Sequence, residues 1–146
     1  MDIRYTTSLD GITPDKLVGF FSGWRRPLSP EAHLRVLRGS RHVVLAMDER
    51  TGRVVGFINA LTDEAHSAFI PLLEVLPEYR RKGIGRELVR RMLHELRNFP
   101  CIDLTCDPAL QPFYEKCGMR RSVGMVVRNY DRTGRPGAAV EQARSV

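Results

Sequence analysis

Along residues 72–96 the spacing of apolar positions changes from continuous to helical. Leu72-Leu73-Glu74-Val75-Leu76 is a strand-like apolar run that stops at Pro77. Beyond it Ile84, Leu88, Met92 and Leu96 step by one helical turn, with Leu93 filling the same face. Arg86, Glu87, Arg90 and Glu95 fall on the flanks and outer side of that helix. The pattern predicts a strand, a short basic turn and an amphipathic helix, in that order.

The rest of the chain supplies the surroundings of this unit. Residues 2–7 alternate enough for an edge strand, with Ile3 and Tyr5 on one face. Thr13-Pro14-Asp15 reads as a helix start, and Leu17, Phe20, Phe21 and Trp24 would share one face of that helix. Ser29-Pro30-Glu31 repeats the signal and opens a helix to about Arg38, closed by Gly39. Residues 42–47 and 53–61 read as antiparallel strands around the turn at 48–52, and Ser67–Val75 as the central strand. After the amphipathic helix come a short strand over 101–105 and a helix from Asp107-Pro108 to Cys117, stopped at Gly118. A last strand is expected over 121–130. The predicted class is α/β, with a mixed sheet, antiparallel first and parallel later, flanked by helices. Residues 1–132 form one domain in this reading, and 133–146 a flexible tail without a core-facing period.

Composition narrows the function classes. A chain of 146 residues with 42% hydrophobic content suits one domain with a real core. No apolar run is long enough for a membrane span and the N-terminus does not resemble a leader, so a cytoplasmic protein without a membrane partner is expected. Cys101, Cys106 and Cys117 are odd in number and lack metal-ligand spacing, so reduced thiols and no metal are expected. The net charge of +6 raises the question of nucleic acid. The basic residues are spread along the chain, apart from a concentration at the turn before the helix. No helix–turn–helix, zinc-finger or RNA-binding aromatic motif accompanies them, and nucleic acid is not the expected partner.

The basic turn itself carries chemistry. A glycine at a helix start leaves main-chain N–H groups unpaired, and these donors with the helix dipole favour a phosphate-like anion. Gly83 and Gly85 allow close approach, and Arg80, Arg81, Lys82 and Arg86 concentrate positive charge there. A Walker-type loop is absent, and a dinucleotide fingerprint would require a small residue where Leu88 stands. The site is expected to hold a cofactor's pyrophosphate.

What remains, Arg80-x-x-Gly83-x-Gly85 after a strand and Pro77-Glu78-Tyr79, resembles the acetyl-CoA signature of the GNAT superfamily of N-acetyltransferases. Phe113-Tyr114-Glu115-Lys116-Cys117-Gly118-Met119 resembles a second segment of that superfamily. The resemblance implies the GNAT-type fold and acetyl transfer from acetyl-CoA to a primary amine, on a small molecule or a protein, by direct attack in a ternary complex. It also implies that the Leu73 N–H donates to the thioester oxygen, that Val75 pairs with the pantetheine, and that N–H groups from Arg81 through Ile84 and Gly85 to Arg86 hold the pyrophosphate. Tyr114 would be the general acid for the leaving thiolate. Where some members carry a glutamate early on the central strand this chain has Phe69. The base is therefore Glu74, Asp107 or ordered water. Asp107 stands where members often carry an asparagine that contacts the cofactor. Members are often dimers, so a homodimer is a further expectation. The alternatives are a CoA-binding sensor or scaffold without catalysis and, behind it, a basic nucleic-acid-binding protein.

Overall fold

The computed structural model describes residues 1–129. The expected tail over 133–146 lies outside the described residues. Five strands, β1 (Ile3–Thr6), β2 (His42–Asp48), β3 (Arg53–Thr62), β4 (Ser67–Val75) and β5 (Cys101–Asp103), form one sheet in sequence order. The first four are mutually antiparallel, and β5 joins β4 in parallel. The mixed sheet is as the sequence predicts. The parallel step needs a crossover, and helix α2 (Ile84–Glu95) supplies it.

Helix α2 covers one face of the sheet through the stripe Ile84, Leu88, Val89 and Met92, all buried. It sits so close to β3 that a Cβ on Gly56 would lie 3.1 Å from Leu88 Cδ1. The opposite face is covered by α1 (Pro30–Gly39) and the segment before it. Ser29 caps α1 by accepting the Ala32 N–H at 3.1 Å, with Pro30 in the first turn. A short helix α3 (Gln111–Lys116) follows β5 after a single 3-10 turn at Pro108–Leu110.

Two expectations are corrected. The helix expected from Thr13 through Trp24 is a single 3-10 turn, Pro14–Leu17. Gly19, Phe21 and Gly23 have φ of 101°, 64° and 85°, which ends any right-handed helix. Leu17, Phe20 and Phe21 are still buried, so the apolar pattern reports burial and not helical periodicity. The strand expected over 121–130 is also absent among its described residues, 121–129. Val123, Met125 and Val127 alternate as a strand would, yet they are 94%, 95% and 84% exposed. An open cleft separates this segment from Phe69, Ile102 and Tyr114, so no ladder forms. Alternation needs a neighbouring strand to become a strand.

The buried face of α1 carries a polar group the pattern does not announce. His33 is fully buried, and among the described residues neither ring nitrogen has a hydrogen-bond partner. Its ring packs at 4.3–5.2 Å from the rings of Phe20, Phe21 and Phe57. Burial pulls its pKa down from 6.5 to about 4. The folded state thus favours neutral His33, and its stability falls as pH drops from the unfolded value toward 4. His33→Phe is expected to raise Tm by a few degrees at pH 5 and to change it much less at pH 8. Thermal melts at the two pH values measure the difference; equal shifts would contradict the assignment.

Candidate active site

The turn between β4 and α2 has its main chain facing outward. Arg81 and Gly83 both have positive φ, 61° and 86°, and Gly83 is the N-cap of α2. Glu87 N–H is the first in the helix to find an acceptor, Gly83 C=O at 3.1 Å. Among the described residues the N–H groups from Arg81 to Arg86 have no protein acceptor. Left-handed residues alternating with others turn successive N–H groups to one side, the concavity that binds anions. Together with the helix N-terminus this fits a diphosphate. Arg81, Lys82 and Arg86 are exposed around it, with the Lys82 ammonium 5.8 Å from the Tyr79 ring centre.

Arg80 also has a structural task. Its Nε donates to the Val75 carbonyl at 2.8 Å and braces the turn against the end of β4. Tyr79 O–H donates to Asp48 Oδ2 at 2.7 Å, tying the same turn to β2. Asp48 is wholly buried and also accepts Arg50 N–H. Asp48 is a positioning residue that sequence reasoning missed, since 31 residues separate it from Tyr79.

From that turn a gap opens between β4 and β5. Leu76 N–H donates to Val55 C=O at 2.8 Å. In antiparallel alternation this makes Gly56 and Val75 a non-hydrogen-bonded pair, so β3 satisfies Glu74 and leaves Leu73 and Val75 facing away. The away side is where β5 would continue, but its pairing ends at Phe69. A bulge, in which Ile70 and Pro71 oppose the single Ala60, bends β4 just before this point. The Leu73 and Val75 N–H groups therefore point into the gap. The Val75 carbonyl is already taken by Arg80, which leaves its N–H to recognise a ligand.

Tyr114 closes the gap from α3. It is 8% exposed, with its ring edge-on to Phe113 at 5.0 Å. Its neighbour Phe113 lies 3.7 Å from where a Gly85 Cβ would stand, which fixes α3 against the start of α2. Burial, and then the Cys106 and Cys117 thiols, push the Tyr114 pKa above the ordinary phenol value of 10.0. The O–H thus keeps its proton throughout the neutral range.

Glu74 lies on the other face of β4 from Leu73, as strand alternation requires. It is 3% exposed, and its two oxygens accept the Phe21 N–H at 2.8 and 2.7 Å. That bond comes from the loop whose left-handed Phe21 broke the predicted helix. Burial raises the Glu74 pKa to about 7, against the Phe21 hydrogen bond and the Arg80 charge, which lower it. Glu74, Leu73 and Tyr114 line one narrow pocket, together with Phe21, Trp24 and Thr105. The structure thus brings a poised carboxylate and a protonated phenol to one cavity.

Asp107 and the nearby histidines sit elsewhere. Asp107 caps the turn after β5 by accepting Ala109 N–H at 2.8 Å, and it is not on the wall of that pocket. His66 is exposed at the opposite end of β4, bonded to Ser67 Oγ at 2.8 Å and 4.0 Å from Cys101 Sγ. His94 is on the solvent side of α2. Among the described residues no group of His, Cys, Asp and Glu could hold a metal ion. No helix there is long and apolar enough to cross a membrane.

Comparison with known proteins places this geometry in context. Residues 9–119 match the model of the "Acetyltransferase (GNAT) family". The chain is 30% identical to "Aminoglycoside N(6')-acetyltransferase type 1" of Acinetobacter genomosp. 13, over 66% of its own length and 76% of that protein. It is 36% identical to the chloroplastic GCN5-related N-acetyltransferase 3 of Arabidopsis thaliana over 46% of its length, and spans only 29% of that relative. A crystal structure of a proposed acetyltransferase from Deinococcus radiodurans R1 superposes with a TM-score of 0.86 at 45% identity, covering 93% of this chain and 95% of that one.

Proposed function

Because the chain belongs to the acetyltransferase (GNAT) family, we propose that it moves an acetyl group from acetyl-CoA to a primary amine by direct attack in a ternary complex. The observation that carries this reading is the gap beside β4. The anion-ready turn at 81–86 stands at one end of it, the inward-facing Leu73 and Val75 N–H groups along it, and Tyr114 and Glu74 border the cavity beyond. Acetyl-CoA supplies an activated thioester. The chain's residues do the rest. The amides of 81–86 hold the diphosphate, and the Val75 N–H aligns the pantetheine arm. The Leu73 N–H donates to the carbonyl oxygen, where negative charge develops during attack. Glu74 takes a proton from the amine on the acceptor side, and Tyr114 gives its proton to the departing sulfur. One base and one acid on the same pocket suit a single-step transfer.

Glu74 sets a testable pH dependence. A base works only when ionised, so kcat/KM should rise with pH through about 7 and then level off. In Glu74→Gln that inflection should vanish and the rate at pH 8 should fall by about 100-fold. A retained inflection with a rate within a few-fold of wild type would assign the proton to water instead. The competing reading, a CoA-binding sensor without catalysis, predicts cofactor binding but no thiol release with any amine.

A further inference from the structure

The walls of the pocket carry information about the acceptor. Resting on the acetyl-transfer reading above, we infer that the acceptor is a singly charged amine on an apolar body, an arylalkylamine or a branched alkylamine. The ammonium goes to Glu74, and the body lies against the partly exposed Trp24 and Leu72, with the buried Phe21 and Phe57 behind them.

Three observations converge. Among the described residues lining the pocket, Glu74 is the only charged side chain; the acceptor-side wall is Phe21, Trp24, Phe57 and Leu72. The Phe21 and Trp24 rings meet edge to face at 4.9 Å, and Phe21 meets Phe57 at 6.1 Å, so the aromatic wall is a packed unit already formed. The third observation is the state of the carboxylate. An ionised carboxylate has room for about four hydrogen bonds. Among the described residues Glu74 receives one donor, the Phe21 N–H shared between its two oxygens. A buried carboxylate so sparsely satisfied has the capacity, and the electrostatic need, for one ammonium.

The same lining rejects other amines. A second ammonium on a polyamine or an aminoglycoside would enter an aromatic wall with no second anion to meet it. The chain's net charge of +6 also disfavours the approach of polycations. The α-carboxylate of an amino acid would lie close to Glu74 and be repelled. This sets the chain apart from what its Acinetobacter relative's name describes.

The test is thiol release from acetyl-CoA by the full chain, with calorimetry of acetyl-CoA binding run in parallel. The amines are 2-phenylethylamine, tryptamine and isoamylamine against spermidine, kanamycin, glycine and a lysine peptide. The first group should give kcat/KM at least about 100-fold above the second. Trp24→Ala should lower kcat/KM for 2-phenylethylamine about 10-fold, chiefly through KM, and Trp24→Phe should restore most of it, with acetyl-CoA affinity unchanged in both. Equal or better turnover of spermidine, kanamycin, glycine or the peptide would overturn the inference. So would silence with every apolar amine while acetyl-CoA binds, an outcome that leaves the cofactor site standing. Absence of acetyl-CoA binding would instead overturn the acetyl-transfer reading, and this inference with it.

Discussion

Gly83→Val should raise the Kd for acetyl-CoA by at least about 100-fold while the protein remains folded. Gly83 caps α2 with φ of 86°, where a β-branched residue is strained. Relaxing that strain turns the N–H groups of 83–86 away from a shared focus, and the added side chain lies where the diphosphate must approach. Losing two charge-assisted bonds of about 1.5–3 kcal/mol each accounts for the factor. The fold survives because a Cβ there meets nothing within 4 Å. Gly85→Ala is the control. Its Cβ would make ordinary contacts of 3.7 Å with Phe113 and Val75, so binding should change only a few-fold. Calorimetry and thermal melts on both variants separate loss of the site from loss of the fold.

Tyr114→Phe should lower kcat by about 100- to 1,000-fold with acetyl-CoA affinity preserved. The variant keeps the ring that packs on Phe113 and removes only the proton donor. Because the phenol pKa lies above its usual 10.0, the wild-type rate should show no alkaline fall from this group up to about pH 10. A kcat within a few-fold of wild type would mean that solvent protonates the leaving sulfur. A wild-type fall near pH 9 would mean that Tyr114 is not buried as described.

Much of this was legible in the chain because it depends on local spacing. The step from the continuous run ending at Leu76 to the helical period beginning at Ile84 located the strand, the turn and the helix together. Alternation along β4 placed Glu74 opposite Leu73 and Val75. What the sequence hid were contacts between distant segments. The Phe21 N–H reaches Glu74 across 53 residues, and that contact accompanies a left-handed backbone that no apolar period encodes. The charge of Arg80 marks it for a phosphate, but its sequence position does not show that its Nε also donates to the Val75 carbonyl. Asp48 looked like a turn residue, and it is one, but its second oxygen also anchors Tyr79. The alternating Val123, Met125 and Val127 carried a strand's pattern without a partner to make it one. Spacing reports what an element could bury; only the assembled sheet decides what it meets.

Where coenzyme A places its two bridging phosphates decides the matter. In a crystal structure of the acetyl-CoA complex, their oxygens should lie about 3 Å from the main-chain nitrogens of residues 81–86, with the acyl carbonyl against the Leu73 nitrogen. Phosphates bound at another surface, with those nitrogens still facing solvent, would contradict the account.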